Sequence, residues 1–376
     1  MMAPGADLHL SPMSRTLAVD LLVHGAQSRT ALARKLDVSA ATMTRLVKPL
    51  LAAHVLHETD VLRTPGRGRS ALALDVVADR SRFVGVKLTA DELFAVVTDL
   101  RCTVLDSEML PVPSRDVRDV VRAVGTAVEA LERRSELRID AVGVTVGGLV
   151  DAGEIVADSP FLDWHGVPFR TLLREVITVP VHLDNDVVGL TKVQHWFGHG
   201  RGHADFALLT VGAGIGYGLV VNHQMVRTGA SPFSHYPVDP SGPLCPTGHR
   251  GCMTALLASG SVAAAVSEEH GRDIRFEEAL DLAEAGDPAA GRVVRRAAHA
   301  LGRAAAAIHA TTGVERIILS GEGVHLVHVA RAAVDEGYTE YEVRGVQPPA
   351  LVVRPMDFLE WARGAAALAI QAEFPR

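Results

Sequence analysis

Ser28-Arg-Thr-Ala-Leu-Ala-Arg-Lys-Leu-Asp-Val-Ser-Ala-Ala-Thr-Met-Thr-Arg-Leu-Val-Lys48 reads as two short helices around a tight turn, with polar and basic residues gathered on the second. Leu32, Ala33, Leu36, Val38, Met43 and Leu46 fall where two crossing helices share a buried face, and Ala33 lets them approach closely. Ser28 and Ser39 stand where a hydroxyl caps the helix that follows, and Asp37 suits a left-handed turn position. Ser39, Ala40, Ala41, Thr42, Thr44, Arg45 and Lys48 are left facing outward. Small side chains there admit a major groove, threonine meets base edges or phosphate, and Arg45 pairs with guanine or phosphate. The same pattern also fits a surface helix hairpin on an enzyme.

Ser14 to His24 has helical periodicity through Leu17, Leu21 and Leu22 and completes a three-helix core. Residues 55–60, the turn Arg63-Thr-Pro-Gly-Arg-Gly-Arg-Ser70 and residues 71–76 read as strand, glycine-rich turn and strand, the wing of a winged helix-turn-helix. Arg67 and Arg69, among glycines, suit phosphate or minor-groove contact, though a solvated basic loop has the same composition. Pro49 lies inside the outward-facing helix, where it removes a donor and crowds the Arg45 carbonyl, so the pattern predicts a kink near Lys48 and a short helix.

The chain has 376 residues, a net charge of -7 and three cysteines. Its length predicts two or three domains, and so few cysteines fit a reducing compartment rather than a disulfide framework. Without a long apolar run or signal-like start, the expectation is a cytoplasmic protein with no membrane partner. Charge is unevenly spread: residues 1–80 carry +3 and the rest -10, as for a small DNA-contacting module on an acidic body.

From Arg82 the pattern becomes apolar strands alternating with helical stretches. Residues 83–88, 93–99 and 103–108 predict a meander, 117–134 a helix and 139–146 a buried strand ending at Gly147-Gly148. A second glycine-rich meander begins near Phe206, an alanine-rich helical region covers 253–312 with a break at Gly286-Asp-Pro288, and 358–374 closes as a helix. Strands followed by helices, twice over, predict two related α/β lobes.

Gly143-Val-Thr-Val-Gly-Gly-Leu-Val-Asp151, Leu183-Asp-Asn-Asp186, Gly212-Ala-Gly-Ile-Gly-Tyr-Gly218 and Cys245-Pro-Thr-Gly-His-Arg-Gly-Cys252, following a winged helix, resemble the ROK family of repressors and sugar kinases over about residues 14–372. The resemblance implies an α/β fold with an N-terminal winged helix-turn-helix (1–80) and a two-lobed, actin-like (ribonuclease H-like) body (81–376). Lobe 1 is expected over about 81–186 plus the C-terminal helix, and lobe 2 over about 187–355. It also implies a sugar site, a structural zinc and assembly as a homodimer or dimer of dimers.

Family kinases hold ATP phosphates partly with Asp-x-Gly-x-Thr after the first strand. Here that stretch is Lys87-Leu-Thr-Ala-Asp91, with a cation for the acid and no glycine, so ATP is not expected as a cofactor. Asn185 and Asp186 match the family's Asn-Asp pair, whose Asp is the base in kinases and a hydrogen-bonding group in repressors; a strand-end cap is the alternative. Elsewhere Glu-x-Gly-His reads Pro232-Phe-Ser-His235, Gly-Cys-x-Glu reads Gly251-Cys-Met-Thr254, and Pro-Asn-Leu-Gly-Trp reads Pro160-Phe-Leu-Asp-Trp164. With carboxylates and an amide lost, the expected effector is an oligosaccharide, altered sugar or other small metabolite rather than plain glucose, touching Asn185, Asp186 and His235 with Trp164 or Phe161 as a stacking face.

The family's zinc pattern leaves His235, Cys245 and Cys252, with Thr247 at the middle cysteine. A closed site then needs His249, water or another group. Together these residues predict a regulator, expected to repress carbohydrate-related genes from a palindromic double-stranded operator. A sugar kinase with a regulatory head, or a regulator answering to a protein partner, are the alternatives.

Overall fold

A computed structural model describes residues 10–59, 72–226, 232–341 and 343–375. Their contacts divide the chain into two compact units, Met1–Gly202 with Trp361–Arg376, and His203–Glu360.

The first unit opens with α1 (Pro12–His24), β1 (Gln27–Ser28), α2 (Arg29–Lys35), α3 (Ala40–Ala52), β2 (Leu56–Thr59) and β3 (Ala73–Val76), the strands ordered β1-β3-β2. The caps form as read: Ser28 Oγ accepts from Ala31 N–H at 3.2 Å and Ser39 Oγ from Thr42 N–H at 3.1 Å. Asp37 takes φ 51° at the turn. Leu17, Leu21, Leu22, Leu32, Met43 and Leu50 are buried together with Leu46 and Val47.

Pro49 does not shorten the outward-facing helix as expected; α3 continues through it to Ala52. A proline inside a helix costs about 3 kcal/mol. Burying Leu46, Val47 and Leu50 returns about 1.5–3 kcal/mol each, so packing outweighs the lost bond. Arg67 and Arg69, expected on the wing, lie outside the described residues.

The body of this unit is a five-stranded sheet ordered β11-β7-β4-β5-β6. β4 (Phe83–Leu88), β5 (Glu92–Thr98) and β6 (Val104–Pro111) form the antiparallel meander, while β7 (Ala141–Val146) and β11 (Val181–Asn185) run parallel to β4. α4 (Val117–Arg134) covers one face with Val120, Val124, Ala127 and Leu131. A small sheet of β8 (Leu149–Asp151), β9 (Ile155–Ser159) and β10 (Trp164–Val167) follows β7, then α5 (Phe169–Leu173).

The first unit runs on to Gly202, beyond the expected boundary at 186, and takes in α6 (Asp186–Phe197). The reason is close packing: a Cβ on Gly189 of α6 would stand 3.1 Å from the Gly364 carbonyl in the C-terminal helix, here numbered α13 (Phe358–Glu373). That helix lies so near the sheet that a Cβ on Gly85 or Gly143 would collide with the carbonyls of Ala362 and Ala365. Glycine on the strands and alanine on the helix make this approach possible.

The winged helix is tied to this body through the turn after β5. Arg101 donates to the Leu22 carbonyl of α1 at 3.0 Å and forms an ion pair with Asp75 of β3. The Leu100 N–H donates to the Ala78 carbonyl at 3.1 Å. Arg363 of α13 in turn donates to the Cys102 carbonyl at 2.7 Å, and Cys102 is a buried thiol.

The second unit repeats the plan of the first. Its sheet is ordered β14-β13-β12-β15-β16, with β12 (Phe206–Val211), β13 (Ile215–Val221) and β14 (Gln224–Met225) antiparallel, and β15 (Arg316–Ser320) and β16 (Ala350–Arg354) parallel to β12. Helices α7 (Met253–Leu257), α8 (Ser259–His270), α9 (Phe276–Glu284), α10 (Pro288–Thr312), α11 (Leu326–Val329) and α12 (Arg331–Thr339) accompany it. α10 starts at the expected break: Asp287 caps it, accepting from Ala289 and Ala290 N–H at 3.0 and 2.8 Å. Among the described residues, no helix is long and apolar enough to cross a membrane.

Candidate functional site

Three groups of residues bear on function, and each lies within one unit. The first is the exposed face of α3. Ser39, Ala41, Thr44, Arg45 and Lys48 are exposed and Thr42 is half-buried, as the helical spacing required. Some hydroxyls are engaged locally: Ser39 Oγ donates to Thr42 Oγ1 at 3.0 Å, and Thr44 Oγ1 to the Ala40 carbonyl at 3.0 Å. Arg45 and Lys48 have no ion-pair partner among the described residues, whereas Arg29 and Lys35 of α2 are paired with Glu58 and Asp20. Two cations one helical turn apart thus face solvent.

The second group lies at the carboxyl ends of β4, β7 and β11. Asp186 forms an ion pair with Lys87, whose ammonium also lies 5.2 Å from the centre of the Trp361 ring. Both side chains are largely enclosed, Lys87 at 8% and Asp186 at 14% exposure. Asp186 Oδ1 accepts from Val187 N–H at 2.9 Å. The carboxylate that resembles the family's base therefore meets a cation of its own chain before it meets any ligand. The sequence shows Lys87 only as a lost acid. Its role follows from β4 and β11 flanking β7, which brings residues 87 and 186 together.

Phe161 is 44% exposed, and a Cβ on Gly147 would lie 2.9 Å from its ring and 3.4 Å from Asp186 Oδ2. An open aromatic face thus stands beside the carboxylate. Trp164 does not share it. Its ring packs at 4.8 Å on Phe169, its Nε1–H donates to the Arg115 carbonyl at 2.8 Å, and only 3% is exposed. Trp164 is a core residue because an indole with a buried acceptor loses nothing by burial. Asn185 is also spent structurally: Oδ1 caps α6 at Val187 N–H (2.8 Å) and Nδ2 donates to the Gly148 carbonyl at 2.6 Å. It shapes the Gly147-Gly148 turn rather than offering a free amide.

The third group is in the second unit. His235, Cys245 and Cys252 bring their ligand atoms within 4.8 Å of one another. His235 Nδ1 is 3.7 Å from each sulfur. Burial alone would push the Cys245 thiol up, but the Thr247 hydroxyl and the backbone N–H groups of His249 and Thr247 outweigh it and hold it at about 5. Burial and the neighbouring Cys245 sulfur push Cys252 up. Two cysteine sulfurs and an imidazole at these separations could hold a metal ion. Beside them Tyr217, Phe233 and Tyr236 form an aromatic row, with ring centres 4.3 and 5.7 Å apart. Thr254, where the family has a carboxylate, donates to the Ser234 carbonyl at 2.8 Å.

The start of the glycine-rich stretch, residues 212–214, joins β12 to β13 as a tight connection, and a carboxylate binds there: Ala213 N–H donates to Glu322 Oε1 at 2.9 Å. A loop that already binds an acid of its own chain is a poor cradle for phosphate.

The model of the ROK family matches residues 83–372. The chain belongs to the ROK family. Among ROK proteins, the DNA-binding transcriptional repressor Mlc of Escherichia coli (strain K12) is 24% identical over 63% of this chain and 61% of its own length. The DNA-binding transcriptional dual regulator NagC of the same strain is 24% identical over 93% of this chain and 90% of its own. A solved ROK transcriptional regulator, a homologue of E. coli Mlc, superposes with a TM-score of 0.81 at 22% identity, covering 96% of each chain. A ROK hexokinase from Thermus thermophilus superposes with a TM-score of 0.68 at 26% identity, covering 78% of this chain and 99% of its own. The ROK relatives therefore include both repressors and sugar kinases, and the fold is theirs.

Proposed function

We propose that this chain is a DNA-binding transcriptional regulator, a repressor of carbohydrate-related genes. In this reading it acts in the cytoplasm as a dimer or dimer of dimers on a palindromic double-stranded operator. The observation that carries the reading is the solvent-facing side of α3, where Arg45 and Lys48 have no counter-charge among the described residues. A helix with exposed, unpaired cations on one face suits entry into a major groove, which supports a regulator over a plain enzyme. Ser39, Ala41, Thr42, Thr44, Arg45 and Lys48 form the contact surface, joined by Arg67 and Arg69.

Its effector is a sugar or oligosaccharide-like molecule that approaches Asp186 and stacks on Phe161. No phosphoryl transfer follows. Lys87 replaces the acid of the phosphate loop and pairs with the carboxylate a kinase would use as base, and Glu322 binds at the start of the glycine-rich stretch of the second unit. An effector controls binding by preferring one conformation, and a small change in the spacing of two heads on fixed half-sites costs an operator complex several kcal/mol. Zinc held by His235, Cys245 and Cys252 would cross-link the loop between η-turn Pro232–His235 and α7.

Genome-wide mapping of the bound protein tests the reading: a short inverted repeat upstream of carbohydrate genes is expected, released in vitro by a sugar. Sugar-dependent ADP release abolished by Asp186→Asn would overturn it in favour of a kinase.

A further inference from the structure

We propose that His249 is the fourth protein ligand of this zinc site, converting it to a Cys2His2 set in which Thr247 takes no part. The inference rests on the metal reading of the loop and concerns which residue closes it.

A tetrahedral zinc with bonds of about 2.3 Å to sulfur and 2.0–2.1 Å to nitrogen sets each sulfur–nitrogen edge at about 3.5 Å. His235 Nδ1 to Cys245 Sγ, His235 Nδ1 to Cys252 Sγ, and His249 Nδ1 to Cys245 Sγ are each 3.7 Å. One edge of the expected size thus joins His249 to the three residues whose ligand atoms already lie together. The Thr247 hydroxyl is instead 3.1 Å from both Cys245 Sγ and His249 Nδ1, shorter than such an edge and suited to a hydrogen bond between them.

The backbone explains why residue 249 reaches the site. Gly248 N–H donates to the Cys245 carbonyl and Cys245 N–H to the His249 carbonyl, both at 2.9 Å, and Gly248 has φ 87°. This closed turn folds the His249 ring back to 4.6 Å from the His235 ring. A neutral imidazole is also a far better zinc donor than a neutral hydroxyl. Two thiolates and two imidazoles balance the charge of Zn2+.

The full chain is stripped with a chelator and titrated with Co2+ and Zn2+. One metal per chain, with the intense visible bands of tetrahedral Co2+ and charge-transfer absorption of two thiolates, is expected. His249→Ala should weaken metal binding by about tenfold or more in chelator competition and alter the Co2+ bands, while Thr247→Ala, which removes only a hydrogen bond to the Cys245 sulfur, weakens binding less and leaves the bands unchanged. Thr247→Cys should add the absorption of a third thiolate. The metal-free melting temperature of His249→Ala should equal that of metal-free wild type, since the ring is exposed. A His249→Ala protein with wild-type affinity and spectrum, or loss of both in Thr247→Ala instead, overturns the assignment while leaving the metal reading in place. A wild-type chain that binds no metal overturns both.

Discussion

Replacing Lys87 with methionine keeps most of the stem and removes the charge, leaving the Asp186 carboxylate enclosed with one backbone N–H. Removing one partner of a buried ion pair costs about 3–5 kcal/mol, and the residual exposure of 8% and 14% places this pair at the lower end. Lys87→Met and Asp186→Asn should each cost about 3 kcal/mol. The double variant should cost well under about 3 kcal/mol rather than the sum, because no charge remains unpaired. At about 2–4 °C per kcal/mol for a body of this size, each single change lowers the melting temperature by about 6–12 °C. Trp164, Trp196 and Trp361 all belong to the first unit, so tryptophan fluorescence follows its unfolding without the second. Single variants each costing under about 0.5 kcal/mol, or costs that simply add in the double variant, would refute the view that the two groups neutralise each other.

Other expectations follow from the same geometry. Gly143→Ala forces a methyl into the Ala365 carbonyl, where neither backbone can yield, and should cost about 3 kcal/mol or more with loss of soluble protein. Arg45→Ala should weaken operator binding by about 1–3 kcal/mol and nonspecific binding far less, read by gel shift on operator and scrambled duplexes; equal losses would make Arg45 a phosphate contact. The Ala290 and Ala289 N–H groups and His270 hold the Asp287 carboxyl below its ordinary value. Its stabilisation is therefore complete above the unfolded value of about 3.9 and lost as pH falls through the lowered one, a pH dependence that Asp287→Asn should flatten in acid unfolding curves.

The fold was legible where periodicity and punctuation agreed. The serine caps at 28 and 39, the left-handed Asp37, the helix 117–134 and the break before Pro288 each rest on local chemistry, which a sequence displays directly. Pro49 was misjudged because its effect depends on how deeply Leu46, Val47 and Leu50 are packed, and depth is a tertiary property. The site was less legible for the same reason. Asp186 could be found from its motif, but its partner Lys87 lies 99 positions earlier and meets it only through the strand order. Trp164 and Asn185 carried the right motif positions and turned out to be committed, one to the core and one to a helix cap. His249 stood in the sequence as one of several ways to close a metal loop.

The C-terminal helix has a consequence for the order in which the protein can be built. α13 is made after the whole second unit, yet it completes the first, covering the bare glycines of β4 and β7 and holding the Cys102 carbonyl beside the arginine that grips the winged helix. On a ribosome, the head and its sheet emerge early and wait. Until α13 arrives, the sheet lacks a wall and the head lacks its buttress, so an interrupted chain exposes an unfinished body to proteases.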